Sequence, residues 1–178
     1  MGDFVVLLRG VNVGKTNRIS MASLREALGR AGFQQVRIYL QSGNIVLLSS
    51  LSELQIKDAV EDILRKQFQL DVRVIVRQSS EVRALSQLNP FSLDESGKGN
   101  LYVTFLSQEI DEESVRVQIK VKDRSDLFYI NGKEALIYCS GPYHLTNLSN
   151  SFWERVTKSP ATTRNWNTIR KLASFLVY

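Results

Sequence analysis

The sequence predicts an α+β fold: a ferredoxin-like βαββαβ half packed against a second, diverged βαββα half with a C-terminal helix. Three observations carry this. Strand-sized apolar runs alternate with helix-period segments through residues 1–77 in the order βαββαβ, the split βαβ signature. The runs Phe4–Leu8 and Ile45–Leu48 are apolar throughout, as central strands covered on both faces should be. In residues 100–178, two further apolar runs flank Asn131-Gly132, a two-residue hairpin signal.

The elements follow in order. Phe4–Leu8 reads as a buried strand. Ser20 or Ser23 caps a helix with Met21, Leu24, Leu28 and Ala31 on its apolar face; Ser23 with Glu26 has capping-box spacing, and Gly32 ends the helix. Val36–Leu40 and Asn44–Leu48 are strands joined by Gln41-Ser42-Gly43. A second helix runs from about Ser52 to Phe68, with Ile56, Ala59, Val60, Ile63 and Leu64 on one face. Asp71–Arg77 closes the half as an alternating edge strand, for a sheet order 4-1-3-2. Helices cover one sheet face, and the second half is expected to cover the other. Residues 89–99, with Pro90, Gly97 and Gly99, read as a linker between subdomains 1–88 and 100–178. Beyond it, Leu101–Leu106 is a strand, and Asp111, Glu112 and Glu113 open a short helix. Leu127–Ile130 and Glu134–Cys139 form the hairpin. Ser151 and Glu154 suggest a capping box before Phe152, Trp153 and Val156. A last helix runs from about Arg164 to Val177, with Trp166, Ile169, Leu172, Ala173 and Leu176 apolar.

Composition excludes several kinds of chemistry. The 178 residues contain one cysteine and one histidine, too few for an internal disulfide or a tetrahedral Cys/His zinc site. No metal and no cofactor is called for. No apolar run reaches membrane-spanning length, and the N-terminus lacks a secretory signal, so the expectation is a cytoplasmic protein that avoids membranes. The net charge of +5 is uneven. Residues 1–40 hold six basic against two acidic residues, and residues 151–178 five against one. If the fold joins these ends, they make an anion-attracting patch; otherwise the charge only solubilises.

The loop Arg9-Gly10-Val11-Asn12-Val13-Gly14-Lys15-Thr16 ends like a phosphate loop. A true one places four residues between its first glycine and Gly-Lys-Thr, and here only three separate Gly10 from Gly14. A weaker signal remains: Arg9, Asn12, Lys15, Asn17 and Arg18 are anion-binding types on one glycine-bearing loop. In a split βαβ this loop shares a sheet edge with the hairpin carrying Gln41, Ser42 and Asn44. Together they form a candidate ligand-binding rim, which Arg164, Asn165 and Asn167 could join. The structural alternative has Asn12 and Asn17 satisfying loop backbone, Gly43 and Asn44 making a turn, and Thr163 or Asn165 capping a helix. His144 has no partner motif for a triad, and Cys139 sits in an apolar strand as an inert thiol.

Leu7-Leu8-Arg9-Gly10-Val11-Asn12-Val13-Gly14, Asn17-Arg18-Ile19, Tyr39-Leu40-Gln41-Ser42-Gly43-Asn44 and the late Thr163-Arg164-Asn165-Trp166-Asn167-Thr168 together resemble the bacterial domain of unknown function (DUF) 1697 family. That family usually reads Gly-Gly-Lys after Asn-Val; here Gly14 is followed directly by Lys15-Thr16. The resemblance implies a compact bacterial protein of two α+β subdomains and brings no established activity. The leading expectation is a binding protein whose rim holds an anionic ligand, nucleic acid or a phosphorylated small molecule. The alternatives are an enzyme that binds substrate phosphate or carboxylate at the same rim, with His144 as its only evident base, and a protein-interaction module.

Overall fold

A computed structural model describes residues 1–94, 96–119 and 126–175. Its first half runs β1 (Gly2–Leu8), α1 (Met21–Arg30), β2 (Gln34–Tyr39), β3 (Asn44–Ser49), α2 (Glu53–Phe68) and β4 (Val74–Gln78), followed by a short α3 (Ser79–Leu85). The sheet order is β2-β3-β1-β4 and every pairing is antiparallel, the arrangement the apolar patterning predicts. Local chemistry sets the helix starts. Ser20, not Ser23, caps α1 by accepting from the Ser23 amide. Ser52 and Gln55 form a reciprocal capping box on α2. Leu24 and Leu28 of α1 and Ile56, Val60 and Leu64 of α2 then reach a common core with Val6, Leu8, Ile45 and Leu47. Each such side chain contributes about 1.5–3 kcal/mol on burial. Residues Val5 to Leu8 are wholly buried, so both faces of β1 are shielded from water.

The second half runs β5 (Leu101–Leu106), α4 (Glu112–Gln118), β6 (Leu127–Asn131), β7 (Glu134–Tyr138), α5 (Asn150–Thr157), β8 (Ala161–Asn165) and α6 (Trp166–Phe175). This half departs from the expected elements in three places. Residues 161–165 form a fourth strand, so this half is βαββαβ and its final helix starts at Trp166 rather than Arg164. The strand is hard to read because it is polar, yet threonine suits a pleated surface. Thr163 lies opposite Thr104 on β5, and their hydroxyls are 2.7 Å apart. Ser149 rather than Ser151 caps α5, and Glu154 accepts from the Ala161 amide instead of closing a box. The hairpin turns on Gly132 and Lys133, since Asn131 still pairs with Glu134. The expected helix end at Leu176 and Val177 lies outside the described residues. Within the predicted linker, the Asn89 side chain bridges to both backbone groups of Leu93, and Asp94 accepts from the Gly97 amide.

The chain separates into two compact units, Met1–Ser86 with the chain end from Lys171, and Gln87–Arg170. Among the described residues, no helix is long and apolar enough to cross a membrane.

The second sheet, β6-β7-β5-β8, repeats the first strand for strand. Val5 pairs with Val46 on one side and Arg77 on the other; Val103 pairs with Leu136 and Arg164. The amide of Leu8 donates to the Gly43 carbonyl, and that of Leu106 to the Lys133 carbonyl, both at 2.9 Å. Arg77 and Arg164 therefore hold the same place in each fourth strand. Both are buried, and each donates through Nη1 to the carbonyl of the residue before it. The two units are versions of one repeated βαββαβ element.

Candidate functional site

The loop from Arg9 to Ile19 is held by its own asparagines. Asn12 adopts a left-handed backbone conformation, with φ of 53°. Its side-chain Oδ1 accepts from the Ile19 amide at 3.0 Å, while Nδ2 donates to the carbonyls of Ile19 at 3.1 Å and Gln41 at 2.8 Å. Asn17, also left-handed, donates through Nδ2 to the Gly10 carbonyl at 3.0 Å. Its own carbonyl accepts from the Asn12 amide. Between them, Val13 and Thr16 pair as an isolated bridge, so Gly14 and Lys15 form the tip of a tight hairpin. A phosphate loop is thereby excluded on geometry, because Lys15 and Thr16 sit in that turn and α1 begins only at Met21.

The β2–β3 turn lies against this loop. Besides the bond from Asn12 to Gln41, the Leu8 amide donates to Gly43 and the Arg9 amide to the Arg73 carbonyl. Asn44 is fully buried and donates through Nδ2 to the Tyr39 carbonyl at 2.8 Å and the Ser42 hydroxyl at 3.0 Å. Eight of the residues named from sequence thus share one sheet edge. They divide by role. Asn12, Asn17 and Asn44 bond the main chain and hold the loops. Lys15, Arg18, Gln41 and Ser42 are exposed, and Arg9 is half-buried. An open depression of about 580 Å³ lies here, lined by Asn12, Arg18, Ile19, Ser20 and Gln41, at the capped start of α1.

The remaining three named residues lie in the other unit, Arg164 and Asn165 on β8 and the exposed Asn167 in the first turn of α6. Arg164 is buried and donates to the Thr162 hydroxyl at 2.7 Å as well as to the Thr163 carbonyl. Burial lowers its guanidinium pKa to about 10, which leaves it charged at neutral pH. Asn165 accepts from the Thr168 amide and so caps α6. His144 is exposed on a single 3-10 turn, Tyr143–Leu145.

Sequence reasoning passed over Glu61. It is buried on α2, accepts from the Val74 amide at 3.0 Å, and pairs with Lys57 at 3.3 Å. The Lys57–Glu61 spacing of one helical turn was the available signal. Cys139 is buried as expected. Burial pushes its thiol up to about 11, and the Asp126 carboxylate adds to the rise, while a hydrogen bond with Thr146 opposes it. At pH 8 about one molecule in a thousand would then carry the thiolate. Modification by a disulfide reagent such as DTNB at that pH is expected to follow global unfolding. It should accelerate by orders of magnitude in denaturing urea; fast labelling of the native protein would contradict this placement.

A repeated ferredoxin-like α+β unit with a polar loop rim is the class this fold and edge define. Residues 1–136 match the family DUF1697, protein of unknown function, and the chain belongs to that family. Among solved structures it is similar to the conserved bacterial protein SP0830 from Streptococcus pneumoniae, at 24% identity over 99% of both chains and a TM-score of 0.76. No curated protein matches it.

Proposed function

We propose that the protein binds an anionic ligand, nucleic acid or a phosphorylated small molecule, at the rim formed by the β1–α1 loop and the β2–β3 turn. One observation carries the reading: Lys15 and Arg18 stand exposed on a loop whose backbone is fixed by Asn12 and Asn17, beside the N-terminal end of α1. A fixed loop lowers the entropy lost when its cations engage a phosphate, and the helix end adds partial positive charge. Gln41 and Ser42 supply neutral hydrogen-bonding groups along the same edge. The basic excess in residues 1–40 raises the local anion concentration. This reading places the protein in the bacterial cytoplasm, where nucleic acids and phosphorylated metabolites are abundant.

The test is a salt series of fluorescence-anisotropy titrations with a single-stranded oligonucleotide, repeated with inorganic phosphate as competitor. Log affinity should fall linearly with log salt. Lys15→Ala and Arg18→Ala should each reduce the slope by about 0.7, the value for one single-strand phosphate contact. For a small phosphorylated ligand, phosphate should displace the oligonucleotide. No binding at low salt, or an unchanged slope in both variants, would refute the proposal.

A further inference from the structure

The second unit contains a cavity of about 910 Å³, within the size range of small-molecule sites. It opens between the start of β6, the segment after β7 and the first turns of α5. Leu127, Phe128, Leu145 and Phe152 form its apolar wall, and Ser151 and Arg155 supply polar edges.

Two features of this wall are unexplained by folding alone. Leu145 is 69% exposed and Leu127 47% exposed, although both border a concave surface. Apolar groups gathered at a cavity mouth mark a place that an occupant covers. The second feature is charge. Among the described residues two ionisable groups line the cavity, and their surroundings differ. Asp126 is engaged: it accepts from the Ser140 amide at 2.8 Å, the Ser140 hydroxyl at 3.0 Å and the Thr146 hydroxyl. Its negative charge is committed to holding the chain after β7 against β6. Arg155 is exposed and makes no ion pair among the described residues. Its guanidinium lies 5.6 Å from the Phe152 ring centroid. Stacking orients the guanidinium plane while its N–H edge stays open to a planar anion. The nearby Arg116, 5.2 Å from the Phe128 centroid, is already paired with Glu112 at 2.9 Å.

We propose that this cavity is a binding site for a small aromatic carboxylate. The carboxylate meets Arg155 in a planar, charge-assisted pair, and the ring packs against Phe128, Phe152 and the exposed leucines. Among the described lining residues Asp126 is the one carboxylate and is engaged by Ser140 and Thr146, whereas Arg155 has no ion-pair partner and is the charged group open to a ligand. The site is independent of the rim on the first unit.

The full chain is titrated with 8-anilinonaphthalene-1-sulfonate, an aromatic anion that fluoresces when it leaves water. One saturable site with a Kd of about 10–100 μM is expected from the ligand's size. Indole-3-carboxylate should displace the dye, while its neutral isostere indole-3-carboxamide should do so at least about tenfold less well. Arg155→Ala and Leu145→Asp should each weaken dye binding about tenfold, with urea midpoints close to the parent, because both side chains are exposed. Arg30→Ala, an exposed position on α1 away from the rim, should leave it unchanged. Absence of saturable binding, equal displacement by the carboxamide, retained affinity in Arg155→Ala, or loss in Arg30→Ala would each overturn the proposal.

Discussion

Trp153→Ala is expected to destabilise the second unit by about 3–5 kcal/mol, the range for truncating a buried tryptophan. Trp153 is the largest fully buried side chain of the protein's described residues. Its indole lies edge-on to Phe152 at 5.2 Å and to Phe128 at 6.1 Å between centroids. Its Nε1 donates to the Leu148 carbonyl at 3.0 Å. Truncation therefore removes two aromatic contacts, leaves a cavity and strips a buried carbonyl of its donor. Trp166, nearly buried in the same unit, remains as the fluorescent reporter. Urea denaturation followed by that signal should show a lower midpoint with an unchanged m-value. Trp153→Phe keeps most of the volume and should lose less than half as much. A loss below about 1 kcal/mol for the alanine variant would mean that α5 does not anchor this core.

The legibility of the fold followed burial. Strands β1 and β3 announce themselves because the runs Phe4–Leu8 and Ile45–Leu47 are apolar and buried, and the helices because their apolar positions recur at one turn. Strand β8 did not, for a physical reason: Thr162, Thr163 and Arg164 face partners that satisfy polar groups. The pair Thr104–Thr163 and the bond from Arg164 to Thr162 are invisible until β5 is known to lie alongside. Missing β8 left the expected diverged copy one strand short, since Arg77 and Arg164 correspond only when both are read as the penultimate residue of a fourth strand. Helix α3 escaped because its cap is Gln78, bonding reciprocally with Glu81, rather than one of the short polar side chains that usually mark a helix start.

The candidate rim was legible by topology, since the connection after β1 and the turn after β2 must share an edge. The roles of its residues were not. An asparagine on a loop can face solvent or its own backbone, and the choice depends on left-handed conformations at Asn12 and Asn17 that no spacing rule reveals. The structure commits those amides to main-chain carbonyls, while the side chains of Lys15, Arg18 and Gln41 are exposed. The cavity beside Arg155 gave no sequence signal, because its wall joins residues of β6, α5 and the segment after β7 that no single periodicity links.

Gly43→Ala should combine the rim and the core in one measurement. Gly43 has φ of +75°, and a Cβ there would stand 2.8 Å from Cβ, Cγ and Cδ1 of Leu8. Leu8 is wholly buried among Val6, Ile45 and the α1 and α2 side chains, so it cannot retreat without disturbing that core. The left-handed backbone costs a residue with a side chain about 1–2 kcal/mol, and forced overpacking adds about 1–3 kcal/mol. Gly14→Ala separates the two contributions: Gly14 also has positive φ, +56°, but a Cβ there meets nothing within 4 Å. It should show only the backbone cost. The difference between the two variants in urea denaturation then isolates the clash with Leu8, at about 1–3 kcal/mol. Because Gly43 accepts from the Leu8 amide and adjoins Ser42 and Asn44, relieving the clash must move the turn. Oligonucleotide affinity at low salt should therefore fall in Gly43→Ala while the protein is still folded, and hold in Gly14→Ala apart from changes at Lys15. Equal stability losses in the two variants would show that β1 and the β2–β3 turn do not approach as closely as this geometry requires.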